Sequence, residues 1–252
     1  MIDLPSFSGK IIPRPGNYPG GQKHFVPDDS QISFWINWYK DLSRSGEFQP
    51  PVKSGLKNVD PYFGYFGYRF HPVSYIPEYY HLGIDISGRA KKGVLPISHG
   101  ILEYSGFGHI NGNYVMISHP HVTTLDGYVM HSLYLHLRTC HVKFNSRQKM
   151  LREISLHNYP QIEIPTTEVI GEIGNTGNGK YSPSHLHLQI EFRNKEGHVV
   201  VIDPAQALGL PHNKNKSSHL RSEQQFKLFR KKHAEDLKGW ERFWKIKDNE
   251  KE

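Results

Sequence analysis

The chain has a single cysteine, Cys140, so it can form no internal disulfide and no cysteine-based metal cage. It has no apolar run approaching the roughly 20 residues that a membrane-crossing helix needs. The opening stretch, MIDLPSFSGKIIPRPGNYPGG, lacks the apolar core of a secretory signal, which leaves export completed beforehand, export by another route, or no export. There is no H-E-x-x-H helix, no G-x-S-x-G elbow and no P-loop, so helical zinc proteases, serine hydrolases of the elbow type and P-loop phosphate chemistry are all excluded. Against the single cysteine stand 17 histidines. Any metal bound by this chain must therefore be held by imidazole and carboxylate.

At 252 residues, 37% hydrophobic and 22% charged, the chain lies in the globular range, large enough for one sizeable domain or two small ones. The net charge of +7 is uneven, because His212 to Glu252 holds twelve Lys/Arg and seven Asp/Glu, a net +5. A basic tail of this kind is either a solvated helix or a surface for an anionic partner such as a polyanionic polymer, nucleic acid or a membrane.

Three zones emerge. Residues 1–59 form a Pro- and Gly-rich arm in which Trp35, Trp38, Tyr39 and Leu42 recur at helical spacing, with Ser30 as a cap and Gly46 as a stop. Residues 60–210 are short β-type runs separated by glycine turns, namely GILEYSGF, NYVMISH, GYVMHSLYLHL, EVIGEIG, HLHLQIEF and HVVVIDP, which predict an antiparallel, mainly β domain. One further helical stretch is expected near 146–158. Residues 211–252 return to helical period, with Phe226, Phe229, Leu237, Trp240 and Trp244 on one stripe.

The strand SHLHLQIEF is the most informative. Read with period two, Leu186, Leu188, Ile190 and Phe192 face one way and His185, His187, Gln189 and Glu191 the other. Two imidazoles then stand on one side about 7 Å apart at the backbone. In HLGIDIS the same period puts His81 and Asp85 on one face, with Gly83 between them leaving room for an ion. Each could equally be a buried histidine with its carboxylate partner. In GYVMHSLYLHL, Leu133 and Leu135 share one face, with Tyr134 and His136 on the other. A second pair, His119 and His121 around Pro120, precedes an expected turn at 120–127. The glycine-rich GEIGNTGNG runs into the histidine strand without a helix N-terminus, so it is a tight turn shaping a wall and not a phosphate loop.

In chain order these elements are FGYR (66–69), HLGID (81–85), GNYVMISH (112–119), YLHL (134–137), IGNTGNG (173–179), SHLHLQIEF (184–192) and IDP (202–204). That order resembles the lysostaphin/LytM-type zinc metalloendopeptidases, which cleave peptide cross-links of bacterial cell walls. The resemblance implies a compact antiparallel β-sheet or barrel-like core with an open groove; the short helical extensions flanking it are expected from periodicity alone, since the resemblance does not reach 1–59 or 211–252. It also implies one Zn2+ per chain held by His81, Asp85 and His187, with His136 and His185 as the catalytic pair. Arg69 and Tyr134 would contact substrate. The implied partner is peptidoglycan, in the cell envelope; anionic wall polymer at the basic tail is expected from its charge, with no nucleic acid and a monomeric state. Two departures stand out: the link 138–170 is long, and Pro183-Ser184 precedes the histidine pair where the family commonly has Gly-Pro. The alternatives are a catalytically silent wall-binding or regulatory module and a wall-lytic effector delivered by a phage or a secretion system.

Overall fold

Glycine turns cut the β-forming runs of the central zone into strands, and the described strands assemble into a ten-stranded, a three-stranded and a two-stranded sheet. The structure, a computed structural model, describes residues 2–4, 9–12, 24–27, 48–52, 64, 66–69, 79–144 and 161–208. In chain order the strands are β1 (Ile2–Leu4), β2 (Gly9–Ile12), β3 (His24–Pro27), β4 (Gly67–Arg69), β5 (Tyr79–His81), β6 (Ile84–Ser87), β7 (Gly93–Val94) and β8 (Gly100–Gly108). They continue with β9 (Gly112–Thr124), β10 (Val129–Leu137), β11 (Thr139–Cys140), β12 (Glu163–Ile164), β13 (Gly171–Glu172), β14 (His185–Arg193) and β15 (Val199–Ile202). Among the described residues the helical elements are a 3-10 turn, Gly177–Tyr181, and a four-residue helix, α1 (Pro204–Ala207). The helices expected near 30–46, 146–158 and 219–247 lie outside the described residues.

The main sheet has ten strands in the order β12-β8-β9-β10-β14-β15-β3-β2, with β1 added to β9 and β6 added to β14. Its central pairings are antiparallel, as expected, while the arm strands β1 and β3 join in parallel. Among the described residues the order is open at both ends, so the mainly β, antiparallel core expected takes the sheet form and not a closed barrel. Three strands of the N-terminal arm thus extend the same sheet that carries the central zone.

The core follows from alternation. Leu186, Leu188, Ile190 and Phe192 of β14 and Ile84 and Ile86 of β6 are completely buried in one cluster with Val115, Ile117 and Tyr134. Each such side chain contributes about 1.5–3 kcal/mol on burial, which fixes the register, since a one-residue slip would expose the whole set. The other face of β14 is polar in composition but also covered: His185 and His187 are each 8% exposed and Glu191 2%. β9 is longer than expected and runs through Pro120. The proline is accommodated where the β9–β10 register jumps from Thr123 opposite Val129 to His119 opposite Met130.

Candidate metal centre

β6 and β14 are antiparallel partners with His187 opposite Asp85 and Leu188 opposite Ile84. Because facing residues in a ladder share a side, the polar face of β14 receives the carboxylate of β6 directly. His81 arrives at the end of β5, and the chain turns through Gly83 into β6. A Cβ on Gly83 would stand 2.3 Å from the Leu188 carbonyl oxygen and 2.7 Å from His187 Nε2, so only glycine allows this approach.

The result is a tight triangle of donor atoms. His81 Nε2 lies 2.9 Å from His187 Nδ1, His187 Nδ1 lies 2.9 Å from Asp85 Oδ1, and His81 Nε2 lies 3.3 Å from the same oxygen. Ligands about 2.1 Å from a tetrahedral ion stand roughly 3.4 Å from one another. The three atoms need to part by only a few tenths of an ångström to accept a divalent cation. His81 is 2% exposed. Burial raises the Asp85 pKa, but the charge of His81 and hydrogen bonds with His187 and His81 outweigh it and hold the carboxyl well below its ordinary value. The carboxylate is thus ionised, as a metal ligand must be.

His185 and His136 stand beside this triangle. His185 Nε2 is 3.9 Å from Asp85 Oδ1, and the His136 ring centroid is 5.1 Å from that of His185 and 5.8 Å from that of His187. His185 Nδ1 lies 2.8 Å from the Pro183 carbonyl and His136 Nδ1 3.0 Å from the Thr176 carbonyl. A carbonyl oxygen can only accept, so each Nδ1 carries the proton and each Nε2 is left as an acceptor. Burial, together with the charges of His185 and His187, pushes the His136 pKa down to about 3, so its imidazole is neutral at neutral pH.

His136 reaches the site by a route that differs from simple alternation. Leu133 and Leu135 face Gln189 and His187 across the β10–β14 ladder, so they, and not Tyr134, lie on the site face. Strict period two would send His136 into the core with Tyr134. Instead His136 adopts φ +61 where the β9–β10 register shifts between Tyr134 and Leu137, and its ring turns back to the histidines. Tyr134, expected at the substrate, is completely buried, and its hydroxyl accepts a hydrogen bond of 2.7 Å from the Ile97 N–H. Arg69 lies at the end of β4, opposite Tyr79 of β5 and two residues from the position paired with His81. His119 belongs to a separate site in the core, hydrogen-bonded to the His99 carbonyl at 2.7 Å and to Ser132 Oγ at 2.8 Å.

The glycine-rich turn contributes residues that the sequence did not single out. Thr176 supplies the carbonyl for His136. Ser182 Oγ lies 3.1 Å from His185 Nδ1 and donates to the Gly179 carbonyl at 3.0 Å. Gly179 packs against the His136 ring, where an added Cβ would meet Cγ at 2.8 Å. The only sequence cue was the position of this turn immediately before the histidine strand.

Fold and site together define a mainly β protein with a His–Asp–His cluster able to hold a metal ion on one face of its sheet. Several solved structures to which it is similar are lysostaphin- and LytM-type peptidases. A zinc-containing peptidase from Vibrio cholerae is 23% identical, with 66% of this chain matched to 41% of that one at a TM-score of 0.44. This chain therefore spans well under half the length of that peptidase. The catalytic domain of the antimicrobial peptidase lysostaphin from Staphylococcus simulans is 22% identical, with 57% of this chain matched to 87% of that one at a TM-score of 0.38. A structure of the SpoIIIAH–SpoIIQ complex is 17% identical, with coverages of 60% and 94% and a TM-score of 0.40. No protein-family model and no curated protein matches the sequence.

Proposed function

We propose that the chain is a zinc-dependent endopeptidase that hydrolyses peptide cross-links of bacterial peptidoglycan. The observation that carries this reading is the convergence of His81 Nε2, Asp85 Oδ1 and His187 Nδ1, with two tautomer-defined histidines beside them. Two imidazoles and one carboxylate leave a net charge of +1 on a bound dication and a coordination position for a further ligand. Zinc in such a set supplies Lewis acidity, polarising a carbonyl and making water acidic near neutral pH.

The remaining work falls to the chain's own side chains. His136 and His185 present Nε2 as acceptors on the site face, the arrangement required of groups that take a proton from attacking water and return it to the leaving amine. Their Nδ1 atoms are held by the main-chain carbonyls of Thr176 and Pro183, on either side of the 3-10 turn, so the rings keep one orientation through the cycle. Either imidazole, once protonated, can also donate to the developing oxyanion. Arg69, on the strand preceding the ligand strand β5, is assigned to a substrate carboxylate. Residues 60–210 form the catalytic domain in this reading, with 1–59 an arm and 211–252 a basic extension that concentrates a monomeric enzyme on anionic wall polymer in the cell envelope.

The test is hydrolysis of purified, cross-linked muropeptides by protein of measured zinc content. His187→Ala is expected to abolish zinc binding, and His185→Ala to keep zinc while losing roughly 10²–10⁴-fold in rate. Zinc-occupied protein that leaves every cross-linked muropeptide intact overturns the reading.

A further inference from the structure

The left-handed backbone of His136 has a visible cause. Between the pairs Tyr134–Val115 and Leu137–Asn113, β10 advances three residues while β9 advances two, so β10 carries one residue more. Such a bulge persists only where its freed main-chain groups find other partners. His136 donates its N–H to the Asn111 carbonyl at 2.9 Å. At the Leu137–Asn113 pair, where facing residues of an antiparallel ladder can bond directly, a side chain intervenes. Asn113 donates its N–H to Thr176 Oγ1 at 2.8 Å, and the same hydroxyl donates to the Leu137 carbonyl at 2.7 Å. One hydroxyl thus accepts from β9 and donates to β10, which uses its single proton in full.

The insertion is tight. A Cβ on Gly112 would stand 2.2 Å from Thr176 Oγ1, so the glycine there makes room for the hydroxyl. The main chain of Thr176 brackets His136 as well: its carbonyl accepts from His136 Nδ1 at 3.0 Å, and its N–H lies 3.4 Å from the His136 carbonyl. A histidine keeps a φ of +61 only where its surroundings impose it. Without the hydroxyl, the Asn113 N–H and the Leu137 carbonyl have one ready substitute partner, which is each other. Closing that gap draws the two strands together and flattens the bulge.

We propose that Thr176 is a positioning residue: its hydroxyl, standing between Asn113 and Leu137, holds open the bulge that keeps the His136 ring beside the His–Asp–His cluster. This rests on the peptidase reading above and deepens it, because Thr176 acts through His136 and not on the substrate. The side chain sets where the imidazole stands, and the carbonyl of the same residue sets which of its nitrogens carries the proton.

The test uses full-length, zinc-loaded protein with isotope-labelled histidine, whose imidazole nitrogen shifts in NMR show which ring nitrogen is protonated. The His136 signals are identified by their loss in His136→Gln. The parent is expected to show His136 as a single Nδ1–H tautomer. Thr176→Val keeps the shape and removes the hydroxyl. It is expected to show both tautomers, with zinc still at one per chain, kcat on muropeptides lower on the order of 100-fold and KM within about twofold. Thr176→Ser restores the hydroxyl and is expected to return both the tautomer and the rate. A Val variant with the parent's imidazole signals overturns the proposal, as does a Ser variant that behaves like the Val one. If Thr176→Val does not fold, Thr176→Ala removes the hydroxyl without a methyl to accommodate. Failure of both to fold while Thr176→Ser folds would show a purely structural role and overturn the proposal too. A tautomer change in a protein that cleaves nothing would sink the peptidase reading and leave the positioning role standing.

Discussion

His187 and Asp85 face each other across β14 and β6, and their side chains meet at 2.9 Å between Nδ1 and Oδ1. The pairing is a consequence of register: the apolar residues on either side of each are completely buried, so neither strand can slip without exposing a core row. The His–Asp–His cluster is thereby fixed by the hydrophobic core on the opposite side of the same two strands.

Gly83 makes the third ligand possible, and Gly83→Ala is expected to damage both fold and site. The added Cβ meets a main-chain oxygen at 2.3 Å, which cannot move without disturbing the β6–β14 ladder. A loss of about 1–3 kcal/mol in urea unfolding is expected, together with weaker zinc binding in a chelator competition. Unchanged zinc affinity would show that His187 is not displaced.

Gly179→Ala should separate metal binding from turnover. Its Cβ would press on the root of the His136 ring, 2.8 Å from Cγ, while lying away from the triangle of ligands. Zinc content should stay at one per chain and the rate on muropeptides should fall on the order of 100-fold, as for a catalytic group misplaced by about an ångström. A rate within twofold of the parent would remove His136 from the mechanism.

Tyr134→Phe tests the core placement of a residue expected at the substrate. The substitution strips the acceptor from the buried Ile97 N–H. The predicted cost is about 1–3 kcal/mol of stability, with kcat and KM on muropeptides unchanged. A KM effect without a stability effect would return Tyr134 to the substrate.

His119 should make the fold acid-sensitive. Burial, the largest influence, lowers its pKa from 6.5 to about 3 in the folded chain, against the ordinary value in the unfolded one. The unfolded state therefore binds more protons between these limits. The contribution of His119 is complete above about pH 6.5 and falls by about 1.4 kcal/mol per pH unit as pH drops through the window towards 3. His136, also lowered to about 3, adds to the slope in metal-free protein. Urea midpoints of metal-free chain from pH 7 to 4 should fall steadily, and His119→Leu should flatten the curve. A flat profile in the parent would contradict the burial of a neutral imidazole.

The β character of the central zone, the two-sidedness of β14 and the pairing of His81 with Asp85 were legible in the residues themselves, because period-two alternation is a local property of the chain. Alternation failed at His136, whose left-handed backbone depends on a register shift against β9, a contact that no local pattern encodes. It also misjudged Tyr134 and Leu135, since a strand covered on both sides carries apolar residues on both and gives no cue to which face holds the site. The sequence by itself determined which donor types were available, imidazole and carboxylate with one cysteine in the whole chain, and in what order they fall. Only the tertiary structure decided that His81, Asp85 and His187 share one point, that the Thr176 and Pro183 carbonyls set the tautomers of His136 and His185, and that Arg193 is anchored by Glu191. The reason is physical: distances between residues a hundred positions apart are set by strand register and core packing, which exist only once the sheet has formed.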